Sequence, residues 1–131
     1  MIRSKIISIG SFLPKNKISN SDLAKTIDTS DEWITERTGI RYRHCVTNEL
    51  TSDLASYAAQ DAINSANITI DQIDLIIVAT TTPDLTFPST ATIVQDKIKA
   101  KNAFAFDLQA GCSGFVYAIA TADSFIRSGQ A

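Results

Sequence analysis

The strongest indication of chemistry in this sequence is a cysteine, Cys112, that stands between a short apolar run and a long apolar segment. The pattern predicts a buried strand that ends just before Cys112 and a helix that begins at it. A thiol at the start of a helix lies at the positive end of the helix dipole, beside unpaired backbone N–H groups. Both favour the thiolate, the nucleophilic form of cysteine. Gly111 and Gly114 flank the thiol, so the chain can turn tightly and a substrate can approach closely.

A catalytic thiol usually depends on a base, and the sequence contains one histidine, His44. His44 ends the basic run 41–44, which we expect to contact phosphate or acidic groups rather than to serve Cys112. Cys45 follows in the same polar segment and is interpreted as an incidental thiol. One histidine and two distant cysteines fit no metal-ligand spacing, so no metal site is predicted.

The composition is that of an ordinary globular protein, with 131 residues, 44% hydrophobic and 20% charged, and a formal net charge of -2. A nucleic-acid binder would show a basic stripe and a high pI, so that class is not expected. No apolar run is long enough to cross a bilayer. The apolar stretch 6–13 is broken by serine and glycine and indicates a strand rather than a signal peptide. Two cysteines without a secretion signal suggest free thiols and a cytoplasmic location.

Alternation of strands and helices predicts an α/β fold with a three-stranded, mostly parallel sheet. The predicted strands are 2–13, 74–79 and 103–108. The run 74–79 is short and continuously apolar, which is typical of a strand that is covered on both faces.

The predicted helices begin at residues that can cap an N-terminus and end at residues that favour the left-handed conformation. Ser30 and Ser89 are the predicted N-caps of two helices, and Gly39, Asn67 and Gly129 are predicted C-terminal stops. The predicted helices are 20–27, 31–38, 52–66, 90–99 and 112–128, and the predicted loops are 15–20, 40–50 and 80–89. The helix 112–128 is mostly apolar, which a buried setting would explain.

Three strands make a thin sheet, and one edge of a buried strand would be left bare, which is an aggregation hazard. The sequence also ends two residues after Gly129, where a further strand is expected. We therefore expect the chain to be part of a larger protein or to need a second chain.

Four segments together resemble the β-ketoacyl-[acyl-carrier-protein] synthase III family in their order and spacing. They are DEWITERTGIR at 31–41, VATTTP at 78–83, FPS at 87–89 and AFDLQAGCSGF at 105–115. The resemblance covers residues 2–130 and implies a thiolase-like fold, which is built from two similar α/β halves. The chain, 1–131, would be an incomplete N-terminal half, with the C-terminal half absent.

The resemblance implies an acyltransferase that starts fatty-acid synthesis by decarboxylative Claisen condensation. The cysteine takes an acyl group from acetyl-CoA or another acyl-CoA, and malonyl-acyl carrier protein then supplies the attacking carbanion. Cys112 matches the nucleophile, and its own N–H is the expected oxyanion donor. The family's catalytic histidine and asparagine lie in the C-terminal half, so the chain alone is expected to be inactive. The family also implies a cytoplasmic homodimer with no cofactor besides its acyl-CoA substrate.

Trp33 and Arg37 are four residues apart, so they share one face of a helical turn. An indole can stack on an adenine ring and a guanidinium can bind phosphate oxygens, which fits the nucleotide end of CoA. The matching family positions line the CoA entrance, with Thr29 nearby. Phe87 matches a family position that reaches across a dimer interface and shapes the acyl pocket of the partner. Without the family match, Trp33 and Phe87 would each be interpreted as packing residues, and Arg37 would be interpreted as a solvent-exposed charge.

Two other functions remain open at the level of sequence. The chain can be an inactive half that acts only by association with a second chain, which the unmatched histidine and asparagine suggest. It can also be a sister thiolase-fold acyltransferase, such as a secondary-metabolite ketosynthase or a hydroxymethylglutaryl-CoA synthase. The stretch from Trp33 to Arg41 favours the synthase III branch over these.

Overall fold

The computed structural model describes residues 3–131, which divide into two compact units. The smaller unit is Leu13–Glu49, and the main unit consists of the residues up to Phe12 together with Leu50–Ala131. Each unit has its own strand pair, so the strands of the chain form two separate sheets.

The smaller unit consists of two short antiparallel strands and the two helices that lie between them in the sequence. In chain order its elements are β1 (Asn16–Ser19), α1 (Asn20–Leu23), α2 (Asp31–Thr38) and β2 (Tyr42–Cys45). The β1 and β2 segments were predicted as loops, and that prediction is wrong. The apolar alternation that marks a strand is missing from these polar, half-exposed residues, and the pairing rests on backbone hydrogen bonds.

The bounds of α2 confirm the predicted caps. The Ser30 hydroxyl accepts a hydrogen bond from the Trp33 N–H at 3.1 Å, and Gly39 ends the helix in the left-handed conformation. The short helix α1 is capped by Ser19 and ends at Leu23, four residues before the predicted end at Ile27. The helix that carries Trp33 and Arg37 is therefore fixed at both ends by local sequence.

The main unit is built around a parallel pair of strands with helices packed against it. Its elements are α3 (Thr51–Ala66), β3 (Leu75–Ala79), α4 (Thr90–Ile98), β4 (Phe104–Leu108) and α5 (Gly114–Ser128). The helix α4 is the crossover between β3 and β4, and β3 contacts both α4 and α5. The predicted parallel strands and the α/β class are confirmed. Asn67 and Gly129 end their helices in the left-handed conformation as predicted.

The core of the main unit lies around α4. Ala91 and Val94 of this helix are fully buried, as is Ala100 after it. Near the C-terminus of α4, the Lys97 ammonium donates to the Ser52 hydroxyl and to the Asp53 carboxylate, which ties α4 to the first turn of α3.

The predicted strand 2–13 is not a strand in the structure. Ile2 lies outside the described residues, and residues 3–13 pair with no strand. Their neighbour is α3 instead, because the Ser8 hydroxyl donates to the Ala62 carbonyl and the Ser11 N–H to the Asp61 carboxylate. The parallel sheet within the described residues consequently has two strands, not the three that were predicted.

The helix α5 begins at Gly114 rather than at Cys112, and it is more exposed than its apolar sequence suggested. Gly114 is its only buried residue, and Phe115 is 71% exposed. The expected burial of this helix is therefore not found in the described residues. Over the part of the chain that the structure describes, no helix is both long and apolar enough to span a membrane.

Candidate active site

Cys112 lies in a tight turn that joins the end of β4 to the start of α5. The turn is a short 3₁₀ helix, Gly111–Ser113, in which the Ser113 N–H donates to the Ala110 carbonyl at 3.0 Å. Gly111 has a φ of 51°, a left-handed conformation that glycine adopts without steric cost. The thiol of Cys112 is free and exposed at this turn.

Close packing of small residues fixes the turn against the neighbouring strand. Gly114 is buried, and a Cβ atom placed on it would lie 3.2 Å from the Cβ of Ala79 at the end of β3. A larger side chain at either position would push α5 away from β3. The position of the thiol therefore depends on two small residues that meet at the ends of adjacent elements.

An apolar groove of about 770 Å³ leads to the thiol between β3 and α5. Its walls include Leu75, Ile77, Phe115, Ala118, Ile119 and Ala122. Cys112 is one of the lining residues, and a thiol in an apolar groove suits a substrate with a hydrocarbon chain and a reactive carbonyl, because the chain can be buried while the carbonyl lies at the sulfur.

The loop 80–89 carries Phe87, whose side chain is 87% exposed, and it contains a cis peptide bond between Phe87 and Pro88. This exposure suits the predicted role of Phe87 at an interface, and that role stays a prediction.

Asp84 anchors the loop, and sequence reasoning missed it. One carboxylate oxygen, Oδ1, accepts from the Ser52 N–H at 3.0 Å, while the Asp84 N–H donates to the Thr90 hydroxyl at 3.2 Å. The other oxygen, Oδ2, is buried and has no hydrogen-bond partner among residues 3–131. The loop is also tied to α3 by the Thr51 hydroxyl, which donates to the Thr82 carbonyl. No local sequence signal points to the carboxylate bond, because Ser52 lies 32 residues before Asp84.

Asp107, a second missed residue, connects the strand before Cys112 to the helix that follows the loop. Its two carboxylate oxygens accept from the N–H groups of Thr90 and Ala91, at 2.8 and 2.7 Å. These are the first N–H groups of α4, which have no partner within the helix, and a negative charge is favoured there. A charged residue in an otherwise apolar strand was the sequence signal for this bond.

In the smaller unit, Trp33 and Arg37 meet on one face of α2, as their spacing predicted. The guanidinium carbon of Arg37 lies 4.6 Å from the centroid of the Trp33 ring, a cation–π arrangement. Arg37 also lies 3.7 Å from the Glu36 carboxylate, and Trp33 is 53% exposed. Thr29 is half-buried and precedes the cap residue of this helix. The pair presents an aromatic surface and a positive charge to solvent.

His44 has a structural contact within its own unit. Its Nδ1 lies 2.6 Å from the Pro14 carbonyl oxygen, which holds the ring beside the β1–β2 pair. Cys45 beside it is a free, half-buried thiol. Within residues 3–131, no group of three or more histidine, cysteine or acidic side chains is placed to hold a metal ion.

The chain is similar to known proteins over nearly its whole length. The family described as 3-Oxoacyl-[acyl-carrier-protein (ACP)] synthase III matches residues 106–131. Proteins named Beta-ketoacyl-[acyl-carrier-protein] synthase III from Ehrlichia chaffeensis and Wolbachia pipientis wMel are 63% and 62% identical, over 99% and 98% of this chain. The chain spans 41% of the length of each of these curated relatives.

A solved structure agrees with the sequence relatives. The crystal structure of 3-oxoacyl-[acyl-carrier-protein] synthase III from Aquifex aeolicus superimposes with a TM-score of 0.91 at 54% identity, covering 95% of this chain and 41% of that one. These similarities confirm the thiolase-like α/β fold and the resemblance stated from the sequence motifs. The sister acyltransferases and the inactive association half are not favoured, since the similar proteins described here carry the synthase III name.

Proposed function

From its match to the N-terminal part of the β-ketoacyl-[acyl-carrier-protein] synthase III family, we propose that this chain supplies the nucleophile of such an acyltransferase. The observation that carries the proposal is the exposed Cys112 thiol at the tip of the β4–α5 turn, at the end of an apolar groove. The proposed reaction starts fatty-acid synthesis by joining an acyl group from acetyl-CoA or another acyl-CoA to malonyl-acyl carrier protein.

In the first step the Cys112 thiolate attacks the carbonyl carbon of the acyl-CoA thioester. The bond between that carbon and the CoA sulfur breaks, the acyl group stays on Cys112, and CoA leaves as a thiol with the proton that Cys112 gave up. The Cys112 N–H lies in the 3₁₀ turn before α5, one residue ahead of the Ser113 N–H that donates to the Ala110 carbonyl, and it is the proposed donor to the oxyanion.

In the second step malonyl-acyl carrier protein loses carbon dioxide, and the resulting carbanion attacks the acyl carbon on Cys112. The new carbon–carbon bond forms as the carbon–sulfur bond to Cys112 breaks, so the thiolate is regenerated and β-ketoacyl-carrier protein is released. The histidine and asparagine that the family uses here match no residue of this chain.

The proposed CoA contacts are Trp33, Arg37 and Thr29 in the smaller unit. The indole offers a stacking surface for adenine, and the guanidinium offers paired donors to phosphate. Because Arg37 covers one face of Trp33 in this structure, adenine would stack on the other face or displace the guanidinium. A cytoplasmic homodimer, in which Phe87 of each copy contacts the acyl pocket of the other, completes the proposal.

The test is acyl transfer to the chain from acetyl-CoA, followed by intact mass and peptide mapping. The test concerns the first half-reaction only, since the full condensation needs the histidine and asparagine that match no residue of this chain. For that half-reaction we expect one added acetyl group on Cys112, none on Cys45, and none in Cys112→Ala. Alkylation with iodoacetamide, followed in the same samples, serves as the control that the thiol is accessible. A Cys112 that iodoacetamide modifies but acetyl-CoA does not would contradict the proposal for this chain.

A further inference from the structure

A single buried amide holds the smaller unit together. Asn20, the first residue of α1, is completely buried in a unit whose only other buried residues are Pro14 and Ile34. A buried polar side chain must be hydrogen-bonded to offset the loss of water, so the contacts of Asn20 determine what it does.

Both polar atoms of the Asn20 side chain form hydrogen bonds. Its Nδ2 donates to the Asp31 carboxylate at 2.8 Å and to the Ile40 carbonyl at 2.7 Å, and it lies 3.4 Å from the Thr35 hydroxyl. Its Oδ1 accepts from the Arg43 guanidinium at 2.7 Å. One amide therefore connects α1 with α2, with the turn after α2, and with β2.

These contacts fix the rotation of α2 about its own axis. Asp31 and Thr35 lie one turn apart on the face of α2 that meets Asn20. Trp33 and Arg37 are each two residues further along, which at 3.6 residues per turn places them about 200° around the helix. The side of α2 that presents the aromatic ring and the guanidinium is thus opposite the side that Asn20 holds.

We infer that Asn20 is a positioning residue for the Trp33–Arg37 pair, an inference that rests on the proposed function of that pair in binding CoA. Asn20 itself touches neither side chain. It acts by holding one face of α2 and, through Arg43 and the backbone bond from its own N–H to the Arg41 carbonyl, by holding β2.

The sharpest variant is Asn20→Asp, which has the same shape and keeps an acceptor for Arg43. It replaces the Nδ2 donor with an oxygen that faces the Asp31 carboxylate and the Ile40 carbonyl, both acceptors. Trp33 is the only tryptophan of the chain, so its fluorescence reports on this helix alone. We expect the Kd for CoA, measured from that fluorescence below the unfolding transition, to rise about tenfold.

The matched control is Ser56→Ala in the main unit, which removes a buried hydrogen bond to the Ser52 carbonyl. This variant loses stability without touching the smaller unit, so its Kd for CoA should not change. The double variant Asn20→Asp/Asp31→Asn restores a donor–acceptor pair between α1 and α2 and should recover part of the lost affinity. An unchanged Kd in Asn20→Asp, or an equal loss in Ser56→Ala, would overturn the inference.

A second readout separates this inference from the proposed function. Without CoA, acrylamide quenching and anisotropy of Trp33 should show a more mobile indole in Asn20→Asp and a partly restored one in the double variant. If CoA does not perturb Trp33 even in the unaltered chain, the proposed function fails, and the quenching comparison still decides whether Asn20 orders α2.

Discussion

The two units of the chain stabilise their candidate site residues by different means. In the smaller unit a buried amide, Asn20, carries the hydrogen bonds that hold α2. In the main unit close contacts between small residues, such as Gly114 with Ala79, set the position of the Cys112 turn. The position of the proposed binding residues therefore depends on matched hydrogen-bond donors and acceptors, whereas the position of the proposed nucleophile depends on small side-chain volume. Substitutions that damage one unit should therefore differ in kind from those that damage the other.

The largest effect is expected from adding a methyl group to the main unit at Gly10. A Cβ atom there would clash with the Ala58 carbonyl oxygen and the Ala62 nitrogen, both in the backbone of α3. Gly10→Ala should lower the free energy of unfolding by about 3 kcal/mol or more, because backbone atoms cannot move aside as a side chain can. Chemical denaturation followed by circular dichroism measures it, and a loss below about 1 kcal/mol would show that volume does not control this unit.

In the smaller unit, replacing Asn20 with an apolar residue of similar volume should lower the free energy of unfolding more than a volume-matched substitution at any other position. Asn20→Leu leaves the Arg43 guanidinium and the Ile40 carbonyl without their partner, and we expect a loss of about 2 kcal/mol. Trp33 fluorescence during denaturation follows this unit. If Asn20→Leu were as stable as the unaltered chain, apolar packing would suffice in both units and the contrast between them would be lost.

An intermediate loss of stability is expected at Asp107, where the main unit also depends on side-chain hydrogen bonds. Asp107→Asn removes the charge and one of the two acceptors for the first N–H groups of α4, which should cost about 1.5 kcal/mol. Asp74→Asn, at a carboxylate just before β3, is a charge-matched control that should change stability little. If Asp107→Asn lowered the free energy of unfolding as much as Asn20→Leu, side-chain hydrogen bonds would be as important in the main unit as in the smaller one.

The smallest expected effect is a loss of stability at low pH, and both units should contribute to it. In the smaller unit, hydrogen bonds from Lys25 and Ser19 lower the pKa of Asp22 from 3.8 to about 2. In the main unit, bonds from Lys97 and from the Leu50 N–H lower the pKa of Asp53. A carboxylate with a lowered folded-state pKa stabilises the protein above its unfolded pKa, and this stabilisation is lost as the pH falls through the folded value.

Stability should therefore fall when the pH is lowered from about 5 to about 2.5. Asp22→Asn should flatten the decline that Trp33 fluorescence reports for the smaller unit. Asp53→Asn should leave the Trp33 signal unchanged and flatten the decline in circular dichroism, to which the helices of both units contribute. Both effects should be small because the Asp22 side chain is exposed to solvent and the Asp53 side chain is only half-buried. A decline that neither variant alters would assign the pH dependence to other carboxylates.

Local rules predicted the helices well, because caps such as Ser30 and Ser89 and stops such as Asn67 depend only on nearby residues. The parallel strands 75–79 and 104–108 were predicted equally well, since continuous apolar runs mark them. The segment 3–13 was assigned to a strand from its own β-branched residues, but its contacts with α3 decide its structure. The polar strands β1 and β2 carry no apolar alternation, so periodicity could not find them.

The candidate site was predictable where a residue is chemically distinctive and unpredictable where its role comes from distant contacts. Cys112 and the Trp33–Arg37 pair stand out by type and spacing. The side chains of Asn20, Asp84 and Asp107 form hydrogen bonds to residues 11 to 32 positions away, which only the folded chain reveals. Sequence periodicity contains no information on such partners.

The Asp107 bonds to the start of α4 have a consequence for the order of folding. They span 17 and 16 residues, a shorter loop than the 54 residues between Ser8 and Ala62, so this segment closes at a lower cost in loop-closure entropy than the contact of residues 3–12 with α3. We expect the segment to be structured in the folding transition state, with Asp107→Asn slowing folding more than it speeds unfolding. The turn that carries Cys112, the proposed nucleophile, begins just after β4, so it would form on a strand that is already in place.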